Sequence, residues 1–589
     1  MILQALYEYY QRKDPDEIPP VGWEQRGFKY SVVLNSTGSF VSFRSLVETD
    51  DLGRDKPKSF FVPSLGEKKG NGIKANLLWE NPEYLLGIPT PTQGKPNPDL
   101  QRVELQHKVF REKLRSLSGV CEHPVLNVIE LFLANIDRER IMQDPLWSQI
   151  QRESPFLILC VEGLPYPVDI PEIRVGIESL ESNGTIGICA VSGQNTEIAD
   201  LEPAIKGVWG TDAKAERGLV SFNKDSFRSF GKEQNKNAPI GKSVVSAYVA
   251  ALNLLLSPDS PNRLQLGGAS TVFWAQKAAA RIEPRVKSFF ALPPKEKDDT
   301  DKGATDAKQT LLSILNGITP EESEAGFYIL GLSPNSARIS VRFWHQGTVG
   351  EFARHMRQHL EDLTIVAPKQ DQERVGLMYL LCSLVLGGKI ENIPPNLEGN
   401  VMHAILTDSP YPETLQQQCL RRIRAEQSIP RVRAAILKAC INRKLRRSNP
   451  NNEEEITVSL DTTNTHPGYR LGRLFAVLEK IQEDASGGKL NSTIRDRFYG
   501  SASANPGTVF PRLINLAHHH LSKLKADRPS WAVSDDKWLR EIFGEIDYSF
   551  PPHMSMDDQG RFAIGYYHQR QAFYASKAEI RSDSEGDQK

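Results

Sequence analysis

At 589 residues, with 39% hydrophobic and 25% charged positions, the composition is that of an ordinary soluble globular protein too long for one compact core, so two to four domains are expected. Charge nearly cancels, 72 Lys and Arg against 73 Asp and Glu, so nothing global points to nucleic acid. No apolar run approaches the roughly 18 to 20 residues of a spanning helix, and the opening MILQALYEYYQRKD reads as an amphipathic helix rather than a signal peptide, which together predict a cytoplasmic protein without membrane contact.

From about Gly27 to Asn195, short β-like runs (YSVVLN, FVSF, FLILCVEG, TIGICAV) alternate with two helical stretches, LQRVELQHKVFREKLRSL and HPVLNVIELFLAN. The mixed pattern continues through SVVSAYVAALNLLL, with apolar residues at helical spacing, and the β-like TVFWA. Residues 293–306, PPKEKDDTDKGATD, lack aromatic and aliphatic β-branched side chains and read as a linker without the apolar content to order itself. After it, GFYILGLSPNSARISVRFWHQG predicts two strands about a Ser-Pro-Asn turn, then a helix from about Thr348 to Leu363. Strand signals fade from about Gln372, and helical patterns punctuated by Pro and Gly run to a polar tail. The predicted class is α+β: a mixed α/β N-terminal region over 1–292 and 307–371, then an all-helical bundle over 372–589.

The charge balance is uneven along the chain. Between Tyr411 and Pro450 stand ten cations (Arg421, Arg422, Arg424, Arg431, Arg433, Lys438, Arg443, Lys444, Arg446 and Arg447) against two acids, Glu413 and Glu426. Such a helical pair suits a phosphate backbone, whose neutralisation releases counterions without reading sequence; a solvated helix face is the structural alternative. Arg470, Arg473, Arg495 and Arg497 follow, interleaved with Tyr469, Phe475, Phe498 and Tyr499, the composition of a groove for single strands, although Leu471 and Phe475 sit at core spacing. Near the N-terminus, GEKKGNGIKAN sets Lys68, Lys69, Asn71, Gly72, Lys74 and Asn76 in a glycine-rich loop able to approach a groove. It lacks the GK[ST] ending of a phosphate-binding loop, and a plain surface turn would look the same.

Catalytic chemistry is not legible. The six cysteines carry no CxxC pair and read as reduced core thiols; HMRQH places His355 and His359 on one helix face without the glutamate of HExxH. Cys189 has no flagged base, the paired acids Asp50/Asp51 and Asp298/Asp299 lie in loops without flanking apolar strands, and no cofactor or metal ligand set is expected.

Several ordered segments together resemble one family, the large subunit of the type I-C CRISPR Cascade: MILQALYEYY, GIKANLLWENPEYLLG, CAVSGQNTEIADLEPAIKGVWG, LVSFNKDSFRSFGKEQNKNAPIGKSVVSAYVAALNLLL, FYILGLSPNSARISVRFWHQG, RVRAAILKACINR, NTHPGYRLGRLFAVLEKIQ, IRDRFYGSASANPGTVFPRL and FAIGYYHQRQAFY. The likeness runs nearly end to end; one departure is Glu202 in DLEPAIKG, where the family usually has histidine. The resemblance implies a non-catalytic subunit that recognises the protospacer-adjacent motif in target duplex DNA, helps open the duplex, stabilises the R-loop and supports recruitment of the helicase-nuclease. The implied partners are the guide-RNA-containing subunits (backbone subunits, the 5′-handle-binding subunit and small subunits), the target double strand and the displaced strand. It also implies that the helical C-terminus is small-subunit-like. On that basis flank reading maps to Gly72, Lys74 and Asn76 with Lys68, Lys69 and Asn71, or to Gln234, Asn235 and Asn237. Displaced-strand contact maps to Arg421, Arg422, Arg424, Arg431, Arg433, Arg443, Lys444, Arg470, Arg473, Arg495 and Arg497. A DNA nuclease and a purely structural scaffold are the alternative functions.

Overall fold

The computed structural model describes residues 1–49, 53, 55–64, 72–90, 99–180, 185–210, 218–222, 224–266, 269–276, 283, 316–335, 338–367, 376–449, 456–487, 490–544 and 549–586, with side chains to 573 in the last helix. The linker expected at 293–306, and Lys68, Lys69 and Asn71, lie outside the described residues. Two compact units divide the chain: Met1–Ser260 with Leu332–Val341, and Pro261–Gly331 with Arg342–Lys589. Strands concentrate toward the N-terminus and helices toward the C-terminus, the α+β class read from the sequence.

In the first unit, strands β1 (Trp23–Phe28), β2 (Tyr30–Leu34), β3 (Phe40–Ser45), β4 (Val47–Thr49), β5 (Asp55–Pro63), β6 (Trp79–Glu80) and β7 (Leu157–Val161) form two sheets, ordered β1-β5-β4 and β3-β2-β7-β6. β2 and β7 run parallel, Tyr30 opposite Leu157, and every residue of both is buried. Continuous apolar runs such as YSVVL and LILCV are what central strands covered on both faces need. Helix α1 (Ile2–Arg12) precedes the sheets, while α2 (Leu100–Ser118) and α3 (Pro124–Ala134) lie in the crossover between β2 and β7. α2 buries Val103, Phe110, Leu114 and Leu117, successively seven, four and three residues apart, as an amphipathic face requires. α3 begins with Pro124 in its first turn, after His123 accepts the Val125 amide at 3.2 Å. A small ribbon, β8 (Ile186–Ile188) with β9 (Asn195–Glu197), precedes α4 (Lys242–Leu255), against which α1 packs. Glu202 is buried and holds the neighbouring chain: it accepts the Val220 amide at 2.8 Å and the Tyr248 hydroxyl of α4.

A further sheet has the order β10-β11-β12-β13, from β10 (Arg263–Leu266), β11 (Ala269–Ala275), β12 (Gly326–Asn335) and β13 (Arg338–Thr348). The longer helices that follow are α5 (Val349–Leu363), α6 (Leu397–Thr407), α7 (Glu413–Glu426), α8 (Arg431–Ser448), α9 (Pro467–Ala485), α10 (Ile494–Ala504), α11 (Pro506–Asp527), α12 (Pro529–Phe543) and α13 (Met556–Gly586). At the centre α9 and α13 touch backbone to backbone. A Cβ on Gly472 would collide with the Phe562 carbonyl, and one on Gly565 with that of Tyr469, so only glycine permits the approach. Around this contact Phe475, Tyr499, Phe510, Phe562 and Tyr566 form an aromatic core with centroids 5.6 to 6.4 Å apart.

Candidate nucleic-acid interface

The glycine-rich segment enters the described structure at Gly72. Gly72 and Lys74 are exposed, whereas Asn76 is buried. Its backbone N–H and side-chain amide both donate to one oxygen of Glu80, at 3.1 and 2.9 Å, and the other oxygen accepts the Asn81 amide at 2.9 Å. Lys113 of α2 reaches the Ala75 carbonyl at 3.0 Å, and the Trp79 indole donates to Pro63 at the end of β5 at 3.1 Å. Asn76 is therefore corrected from base reader to bracket: its donors are committed to an acid that burial leaves without water, and the solvent-facing chemistry of the segment is Lys74.

The second segment, 224–237, divides the same way. Gln234 is exposed and carries a φ of 51°. Asn235 is buried, and Asn237 is the loop's clamp, its oxygen accepting Ser229 N–H at 3.0 Å and its amide donating to the carbonyls of Lys232 and Gln234 at 3.1 and 2.9 Å. Of the three amides singled out in the sequence, only Gln234 faces outward.

The cations of α7 and α8 turn inward to a degree their spacing conceals. Arg443 is wholly buried and donates to Asp362 of α5 at 2.8 Å, while Arg446 meets the same carboxylate at 2.9 Å and Asp408 at 3.4 Å. Burial alone would raise Asp362, but hydrogen bonds from Arg446 and the charge of Arg443 hold it below the usual carboxylate range. Lys438 is buried against the Asp362 carbonyl at 3.3 Å. Arg422 and Arg433 converge on Glu426, and Arg433 also donates to the Ser383 carbonyl at 3.0 Å. Lys444 pairs with Asp557 at 2.8 Å, Arg424 donates to Gln559, and Arg447 donates to the carbonyls of Asp408 and Thr407 at 2.7 and 3.1 Å. Arg431 is half-buried and Arg421 exposed.

In the later set, Arg473 is buried against Gln569 at 3.2 Å, Arg470 donates to the Asn464 carbonyl at 3.0 Å, and Arg495 lies 3.8 Å from Glu479. Arg497 is exposed and bonds Ser492 at 3.0 Å. Tyr469, Phe475 and Tyr499 are core residues. Burial thus removes Arg433, Arg443 and Arg473 from any phosphate-binding surface, and of the aromatics expected to line a groove, Tyr469, Phe475 and Tyr499 pack into the bundle while Phe498 alone stays half-buried.

The helix α11 supplies what those segments do not. It carries no acid from Pro506 to Ala526, and Arg512, Leu516, His519 and Lys523, spaced four, three and four residues apart, all face solvent on one stripe. The Arg512 guanidinium lies 5.4 Å from the centroid of the half-buried Phe498, whose neighbour in α10 is Arg497. None of Arg497, Arg512 and Lys523 enters an ion pair among the described residues. The signal legible in the sequence is the acid-free run from Pro506 to Ala526.

Groups suited to catalysis do not gather. Among the described residues no three His, Cys, Asp or Glu side chains converge as a metal site. His359 is buried and hydrogen-bonded to Tyr411, and burial beside Arg443 pushes its imidazole down to about 3. Five cysteines are buried, Cys382 is half-buried and none is paired. No helix among the described residues is long and apolar enough to cross a membrane. No curated protein matches the chain. A family model does: CRISPR-associated protein (Cas_Csd1), over residues 6–574.

Proposed function

Because the chain belongs to the Cas_Csd1 family of CRISPR-associated proteins and is a type I-C Cascade large subunit, we propose that it is the non-catalytic, cytoplasmic subunit that recognises the flank of the target duplex and then holds the opened strands. The carrying observation is the family match across nearly the whole chain. Membership in Cascade gives it the other Cascade subunits as partners; the target duplex, the displaced strand and the helicase-nuclease are the further partners of this reading.

Exposed Lys74 beside Gly72, and exposed Gln234, support a flank-reading role, because a cation and an amide on narrow loops match the donors and acceptors of base edges and phosphates. Displaced-strand contact falls to cations that the fold leaves facing solvent: Arg421, Arg497, Arg512 and Lys523. Guide RNA reads the remaining sequence by pairing, so the protein needs only a short readout and a phosphate track.

Binding of the reconstituted guide-RNA complex to duplexes with matched and scrambled flanks tests the reading. Lys74→Ala and Gln234→Ala are expected to narrow the matched-over-scrambled preference by about tenfold, the scale of one good base contact, with assembly intact. Undiminished discrimination in both variants would move flank reading elsewhere. Metal-dependent cleavage by the purified chain, abolished by changing one acid, would replace the reading with a nuclease.

A further inference from the structure

Helices α2 and α3 pack side by side in the first unit, and between them runs a groove of about 350 Å³. Leu114 forms part of its floor, and Leu131 stands in it 52% exposed. One wall carries Arg111 and Arg115, one turn apart on α2, and the other carries Asn127 and Glu130 of α3. A lone exposed leucine is ordinary, but this one lies at the centre of a shaped and charged recess.

The recess is preformed. Beneath it Leu114, Leu126, Ile129 and Leu133 belong to the core of the unit. From outside, the turn after β2 presses on α3. A Cβ on Gly38, whose φ is 77°, would stand 2.8 Å from that of Leu131 and 2.9 Å from the Val128 carbonyl oxygen, so only glycine fits there. Asn35 fixes the turn, its side-chain oxygen accepting the Thr37 N–H at 3.1 Å and the Ser39 N–H at 2.8 Å. An occupant therefore meets walls that need no further ordering, which lowers the cost of binding.

Charge identifies the occupant. Lys108 on α2 is matched by Glu112 at 3.9 Å, whereas Arg111, Arg115 and Glu130 enter no ion pair among the described residues. Two guanidinium groups on one wall call for carboxylates or phosphates. Glu130 on the opposite wall decides between them. A nucleic-acid strand carries anions along its whole length and would press them toward that carboxylate. A protein helix can instead turn acids toward α2, apolar side chains toward Leu131 and a donor toward Glu130.

We propose that the α2–α3 groove docks an acidic amphipathic helix of another protein subunit of the assembly, its carboxylates on Arg111 and Arg115 and an apolar side chain on Leu131. This rests on membership in the Cascade complex, and it is independent of which residues read the flank.

The test replaces Asn127 with the photoreactive p-benzoylphenylalanine in the reconstituted guide-RNA complex and sequences what it captures. The expected adduct is a peptide of a different protein subunit that carries Asp or Glu. In parallel, the chain is titrated into the guide-RNA complex lacking it. Arg111→Glu with Arg115→Glu is expected to raise the concentration for half-assembly by about 30-fold, the loss that goes with one interface hot spot, while the denaturation midpoint of the purified chain holds. Should that double variant not fold, Leu131→Asp is titrated in its place with the same expectation, and the adduct stands as a separate readout. Assembly at the wild-type concentration overturns the inference. So does an adduct to guide RNA, to target DNA, to a second copy of this chain or to a peptide without acids, and so does the absence of any adduct. If the wild-type complex shows no preference for the matched flank, the flank-reading function fails while the docking surface stands.

Discussion

Helices α7 and α8 and helix α11 are both rich in cations, yet the fold treats them in opposite ways. α7 and α8 meet acids delivered from elsewhere: Asp362 from α5, Asp408 after α6 and Asp557 from α13 take Arg443, Arg446 and Lys444, while Glu426 takes Arg422 and Arg433. Among the described residues α11 enters no ion pair, and its Arg512 and Lys523 keep their charge toward solvent. Cation density along a sequence therefore measures supply, and the acids that the tertiary structure brings in decide how much of it reaches a ligand.

The contrast breaks most visibly at its buried end. Arg443→Ala removes the fully buried cation from Asp362 and leaves Arg446 as its remaining partner, so the loss is expected below the about 3 to 5 kcal/mol of a completely broken buried pair; the denaturation midpoint of the purified chain is expected to fall accordingly. Where that variant still assembles, the salt dependence of DNA binding should not move, since Arg443 reaches no phosphate.

Glu398 sharpens the rule from the other side, as a buried acid that enters no ion pair among the described residues. It is buried, one of its oxygens has no hydrogen-bond partner, and burial raises it to about 7; the neighbouring Cys382 thiol is pushed up by its own burial first and by the Glu398 charge second. The folded chain keeps this proton up to about pH 7, whereas the unfolded chain releases it near the ordinary glutamate value. The group's contribution to stability is therefore greatest below about pH 4 and is lost as pH rises to about 7, a change of about 3 kcal/mol. Glu398→Gln is expected to flatten that part of the stability profile between pH 5 and 7.5; an unchanged slope would show that Glu398 ionises normally.

At the exposed end, Arg512→Glu with Lys523→Glu should leave folding within about 0.5 kcal/mol. The same pair should reduce the salt slope of displaced-strand binding by about 0.7 per lost phosphate contact. The smallest effect is expected from Lys444→Ala: its pair with Asp557 is half-exposed, worth at most about 1 kcal/mol, and the salt slope should hold.

Elements written by local pattern were legible. The continuous apolar runs became β2, β7 and β11 and the amphipathic stretch became α2, whereas Ser333, Pro334 and Asn335, read as a turn, close strand β12 instead. Side-chain roles set by distant partners were not. Asn76 reads as a base-contacting amide until Glu80 claims both its donors, and Arg443 reads as a phosphate ligand until Asp362, 81 positions away, pairs with it.

Photo-crosslinking from thymidine analogues placed in the flank and in the displaced strand of a bound target, with the crosslinked peptides sequenced, tests the central claim most directly. Flank probes are expected to label peptides containing Lys74 or residues 228–236, and displaced-strand probes to label peptides between Arg497 and Lys523. Displaced-strand crosslinks concentrated on Arg431–Arg447, or none on this subunit from either probe, would contradict the assignment of strand contact to the cations that the fold leaves unpaired.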